Sequence, residues 1–85
     1  DVRFEIVERI GALDKPNDNG WVRELNLVSW NGGTPKLDIR EWAPDYQRMS
    51  RGITLSEQQG IRLVQLLVQR EKNRQKQPED RDIGR

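Results

Sequence analysis

Two runs of alternating residues, separated by Asn31-Gly32-Gly33, constrain the fold of this chain more than any other feature. In 21–30, WVRELNLVSW, Leu25 and Leu27 alternate with Glu24, Asn26, Val28 and Trp30. In 34–42, TPKLDIREW, Leu37 and Ile39 alternate with Lys36, Asp38, Arg40 and Trp42. A period of two is the signature of a β-strand, and two such runs around a glycine-rich turn form a hairpin. A slip of one residue would send one strand's leucines into water, so the register follows from the pattern. Leu27 pairs with Leu37 and Leu25 with Ile39, which leaves a three-residue loop whose last position, Gly33, is expected at φ > 0. The other face then carries Trp30 across from Thr34, Val28 from Lys36, Asn26 from Asp38, Glu24 from Arg40 and Val22 from Trp42.

The flanking segments are read around this hairpin. Residues 4–13, FEIVERIGAL, have an apolar spacing that suits strand and helix equally. β-Branched Ile6, Val7 and Ile10 favour a strand, with Gly11 marking a bulge. Residues 14–20 are dense in turn formers and form a surface loop. Residues 43–50 are a connection, and 51–55 a short strand. Ser56 followed by Gln59 is a capping box, so a helix begins there. Its stripe of Ile61, Leu63, Val64, Leu66, Leu67 and Val68 is wider than one small sheet requires, and the excess points to a second copy of the helix. Residues 1–75 are expected to form one domain and 76–85 a disordered charged tail.

Composition bounds the function. A chain of 85 residues buries little core by itself, which also favours a dimer. It has no cysteine and no histidine, so thiolate chemistry, zinc sites and histidine general bases are excluded. No apolar run is long enough to span a bilayer and no signal-peptide pattern opens the chain, so a cytoplasmic protein is expected. The net charge of +1 argues against coating of duplex DNA by bulk positive charge, so any nucleic-acid site must be local. Three tryptophans in so polar a chain suggest base stacking.

The leading constellation is Trp30, Lys36, Arg40 and Trp42 on the face away from the leucines, where exposed rings would stack bases and the cations follow phosphates. The competing reading packs both rings under loops or a dimer mate and pairs Arg40 with Glu24. Lys15, Trp21, Arg23 and Arg48 are weaker candidates at the sheet edges and in its loops. A magnesium-dependent activity would draw on Asp38, Glu41 and Asp45, but Asp38 and Glu41 point to opposite faces of a regular strand and no base or nucleophile accompanies them. No enzymatic activity, cofactor, metal or small-molecule substrate is expected.

Two phrases carry a family resemblance: Lys36-Leu-Asp-Ile-Arg-Glu-Trp42 and Arg51-Gly-Ile-Thr-Leu-Ser56. They resemble the C-terminal domain of the transcriptional coactivator called positive cofactor four, and especially its compact bacterial relatives, as does Leu25-Asn-Leu-Val-Ser-Trp-Asn-Gly32. The resemblance covers about residues 6–68. It implies an α+β fold of four antiparallel strands in a twisted sheet followed by one C-terminal helix (ββββα). It further implies a homodimer formed through the helices, with channels for single-stranded DNA bound with little sequence preference. Carried over, Arg40 and Trp42 match strand-contacting positions, Trp30 falls at a stacking aromatic, and Lys36 and Arg51 match basic positions beside the backbone path. The expected setting is bacterial and nucleoid-associated, with the transcription machinery as a partner. A protein-interaction module and a binder of single-stranded RNA are the alternatives.

Overall fold

The computed structural model describes residues 2–76 and comprises β1 (Phe4–Ala12), β2 (Val22–Trp30), β3 (Lys36–Trp42), β4 (Met49–Leu55) and α1 (Glu57–Lys76). The strands form one antiparallel sheet in the order β1-β2-β3-β4. The expected ββββα architecture is therefore the observed one. Of the tail expected over 76–85, Lys76 still belongs to α1, and residues 77–85 lie outside the described residues.

The hairpin register is the one the leucines dictate, with Leu27 opposite Leu37, Leu25 opposite Ile39 and Glu24 opposite Arg40. Its turn differs from expectation. The left-handed residues are Asn31 (φ 53°) and Gly32 (φ 76°), and Gly33 donates its N–H to the Trp30 carbonyl at 2.9 Å. Two consecutive positive φ values at Asn-Gly match the hand of a twisted hairpin, so this pair takes the turn and Gly33 becomes an ordinary following residue. The β2–β3 ladder closes at Val28 and Lys36, and Trp30 pairs with Phe4 of β1 rather than with Thr34. The last strand also begins two residues earlier than the sequence suggests, because Met49 already pairs with Trp42.

β1 explains its own ambiguous spacing. Its register against β2 slips between Ile6 and Glu8 and again between Arg9 and Gly11, the second slip falling at the glycine expected to mark a bulge. Each slip inserts one residue, so partners on the side of Trp30, Val28, Asn26 and Glu24 are Phe4, Ile6, Arg9 and Ala12. The inserted Val7 and Ile10 remain exposed. An inward set recurring every two or three residues mimics helical spacing.

The bulges also bend the sheet. Phe4 pairs with Trp30 at one end of β2, whereas Trp42 pairs with Val22 at the other. Eight residues of strand span about 26 Å when flat. Nevertheless the Phe4 ring lies 6.0 Å from Trp30 and 5.1 Å from Trp42. The sheet has curled around its tryptophan-bearing face, and the core forms inside the curl. Val28 and Trp42 are fully buried there, together with Asn26 and Asp38.

This reverses the expected roles of the two faces. The Leu25/Leu27/Leu37/Ile39 face is only half-buried. α1 reaches it at Gly60, where a Cβ would lie 2.2 Å from Leu37 Cδ1, and from residue 61 onward every described helical residue is exposed. The helix start is as the sequence predicts: Gln59 N donates to Ser56 Oγ at 3.0 Å and Ser56 N donates to Gln59 Oε1 at 2.9 Å. No described helix is long and apolar enough to cross a membrane.

Candidate nucleic-acid interface

Residues on the inner face are held by a buried polar network. Asp38 accepts from Arg40 through both oxygens, Nε to Oδ1 at 2.7 Å and Nη2 to Oδ2 at 2.8 Å. Arg40 Nη1 donates to the Ser50 carbonyl at 3.2 Å and contacts Met49 Sδ at 3.6 Å. Glu24, opposite Arg40 in the ladder, is taken instead by Asn26 Nδ2 at 3.0 Å and by the Tyr46 hydroxyl. A carboxylate in the next position but one on the same strand face reaches Arg40 in a planar fork, and that geometry outcompetes the cross-strand partner. The Tyr46 hydroxyl is pushed above its ordinary pKa, first by its hydrogen bond to Glu24 and then by burial and by the Glu24 charge. Arg9 covers the Tyr46 ring at 3.9 Å.

Trp30 stands at the rim of this core. It is half-buried, and the Arg40 guanidinium carbon lies 4.5 Å from its ring centroid, a cation–π arrangement. Trp30, Arg40, Val2, Asn31, Met49 and Thr54 line an open cleft of about 530 Å³. A space of this size, mainly apolar with a few polar groups, suits a planar ring such as a nucleobase. Lys36 opens β3 on the same face and is exposed, and Arg51, beside Gly52 on β4, is exposed as well. Neither makes an ion pair among the described residues.

Trp42 does not belong to the accessible surface. At 1% exposure, wedged between Phe4 and Tyr46, it is the largest buried side chain of the inner face. The expectation that it faces solvent fails because curvature, invisible in a period-two pattern, folded the sheet over it. Of the weaker candidates, Trp21 is half-buried with Arg48 5.9 Å from its ring, at the corner where Gly20 packs against Pro44. Arg23 pairs with Glu41 at 3.1 Å and Asp14 at 3.9 Å, and Arg48 with Asp45 at 3.7 Å. These cations are offset by local carboxylates and do not extend a basic path from the cleft. Lys15 is exposed in the same loop region. Asp38, Glu41 and Asp45 are likewise not brought together, since each is engaged by a different arginine.

Sequence reasoning missed Phe4, Tyr46 and Gly52. Phe4 joins Trp30 to Trp42, and Tyr46 satisfies Glu24. At Gly52 a Cβ would lie 2.3 Å from the Ile39 carbonyl oxygen and 2.4 Å from Arg40 Cβ. The glycine inside an otherwise strand-like Arg-Gly-Ile-Thr-Leu phrase was the available signal of a close approach.

An open, curled four-stranded sheet with a C-terminal helix, a buried aromatic face and a cation-capped tryptophan at its rim defines the class. Residues 17–66 match the family described as Transcriptional Coactivator p15 (PC4), and the chain belongs to that family. An uncharacterized protein of Treponema pallidum (strain Nichols) is 40% identical over 67 residues, covering 79% of this chain and 78% of the relative.

Proposed function

We propose that this chain is a non-enzymatic, coactivator-like protein that holds single-stranded nucleic acid, DNA in the first instance, with little sequence preference. The observation that carries this reading is the cleft where half-buried Trp30, capped by Arg40, meets Thr54 and Asn31. An unpaired base brings a free π-face to such a site, whereas duplex bases are already stacked on one another. Lys36 and Arg51, both exposed and without an ion pair among the described residues, are the cations proposed to meet the phosphates. RNA would be held in much the same way, because a stacking site scarcely reads the 2′-OH.

The working unit in this reading is a homodimer joined through α1. Ile61, Val64, Leu66 and Leu67 are between 49% and 59% exposed in the single chain. A monomer seldom leaves such a stripe uncovered, and a second copy supplies the same chemistry. A cytoplasmic, nucleoid-associated location and contact with the transcription machinery are consistent with membership of a coactivator family.

Titration of tryptophan fluorescence with oligo-dT and with a duplex of equal length tests the reading. Oligo-dT is expected to quench the signal and to bind more tightly than the duplex, and Trp30→Ala should weaken that binding by about 1–3 kcal/mol while the protein remains folded. Equal affinity for duplex and single strand would remove the basis for the proposal. A silent titration would favour a protein partner, for which exposed Val7 and Ile10 on β1 and Leu13 just after it offer an apolar surface.

A further inference from the structure

We propose that Asp38 is the specificity-determining residue of the cleft: by neutralising Arg40 and fixing its plane over Trp30, it turns that arginine from a phosphate contact into a wall that meets nucleobases. The inference rests on the single-strand reading of the cleft given above.

The donor inventory of Arg40 leads to it. A guanidinium has five N–H groups. Two go to the Asp38 oxygens, and Nη1 is directed at the Ser50 carbonyl and at Met49 Sδ. One N–H, on Nη2, is left for any ligand. A phosphate is held strongly by arginine through a two-pronged fork, which a single N–H cannot form. The charge leads the same way. Asp38 is fully buried, and the Arg40 side chain is only 13% exposed, so the two enter the site as one neutral unit. A phosphate placed against that unit meets no net cation and releases no extra counterion.

The surroundings keep this arrangement. Gly52, opposite Arg40 in the β3–β4 ladder, leaves the space that the arginine occupies, since a Cβ there would also come within 3.0 Å of Arg40 Nε. The guanidinium carbon then sits over the Trp30 ring, 4.5 Å from its centroid, where both residues line the cleft. Structural need alone does not account for the pair, because apolar residues of similar volume commonly replace a buried ion pair without loss of stability. What the pair adds here is a charge-free, planar, polar-edged wall.

The full chain, as wild type, Asp38→Asn and the double variant Asp38→Asn/Arg40→Gln, is titrated with oligo-dT and with duplex across a series of salt concentrations. Asp38→Asn frees a cation at the cleft. It should tighten duplex binding by about tenfold relative to oligo-dT, and steepen the dependence of log K on log salt for oligo-dT by about 0.7. Asp38→Asn keeps the side-chain shape and Arg40→Gln, though shorter, removes the cation, so the double variant leaves no unpaired buried charge. Its salt slope should equal that of the wild type, with weaker oligo-dT binding. A double variant whose slope is shallower by about 0.7 means that Arg40 contacts a phosphate after all, and overturns the proposal. So does a folded Asp38→Asn protein with unchanged slope and unchanged preference; if that variant fails to fold, the double variant decides. Wild-type protein that shows no preference for the single strand overturns the reading of the cleft itself, which is distinguishable from failure of the role given to Asp38.

Discussion

Trp30 and Trp42 share one face of the sheet, but burial separates what their removal should do. Trp42 fills the inside of the curl between Phe4 and Tyr46, and truncating it leaves a cavity the bent sheet cannot close. Trp42→Ala is expected to destabilise the protein by about 3–5 kcal/mol in urea denaturation, and any loss of binding should follow the loss of fold. Trp30, at the rim, should show the opposite order of effects. Tyr46 gives a second residue-level expectation. Its hydroxyl donates to the Glu24 carboxylate, which stabilises the neutral phenol and raises its pKa above 10.0. The folded state therefore holds that proton more tightly than the unfolded chain. The resulting stability is complete below pH 10 and is lost as pH rises through the folded-state value. Wild-type protein should lose stability more steeply above pH 10 than Tyr46→Phe, as followed by thermal melts at increasing pH. At neutral pH Tyr46→Phe should be the weaker protein, because Glu24 is left with Asn26 as its remaining side-chain donor among the described residues.

Among the elements, β1 and α1 depend on opposite kinds of information. The α1 start is local: Ser56 and Gln59 exchange two hydrogen bonds in a capping box legible from four residues of sequence. Ser56→Ala should cost about 1 kcal/mol of stability and reduce helicity by circular dichroism, since a backbone N–H of the first turn loses its acceptor. β1 is not local. Its inserted residues, Val7 and Ile10, make sense only against β2, where each slip restores the inward alternation of Phe4, Ile6, Arg9 and Ala12. A single-sequence pattern cannot tell a strand bulged every third residue from a helix, which is why that segment read both ways.

At the scale of the molecule, the curled sheet is a half-core. One face is closed on itself, and the other, which α1 approaches at Gly60 and Leu37, is left half-covered. The dimer proposed above would complete it. Leu67 is 56% exposed in the single chain, so Leu67→Glu should leave the protomer's own packing intact and halve the mass measured by sedimentation equilibrium. The melting temperature of the wild type should rise with protein concentration, as mass action requires of a dimer, and that of Leu67→Glu should not. A wild-type protein that sediments as a monomer at all concentrations would remove α1 from the interface.

The hairpin, its register and the helix cap were determined by sequence alone, because each rests on neighbours in the chain or on an alternation that tolerates no slip. The face on which Arg40 stands was legible from the alternation, but its partner was not: Glu24 was the carboxylate expected across the strands, and Asp38, two residues before Arg40 on the same face, takes the guanidinium instead. Which face became the core was not legible. Leu25, Leu27, Leu37 and Ile39 look like the buried set, while Glu24, Asn26, Asp38 and Arg40 look like the wet one. Curvature decided the matter, by bringing Phe4 from one end of the sheet against Trp42 from the other and closing the polar residues into their own hydrogen-bond network. Curvature is a property of pairing between strands, set by bulges and by aromatic contacts far apart in sequence, and so it appears only when the tertiary structure is formed.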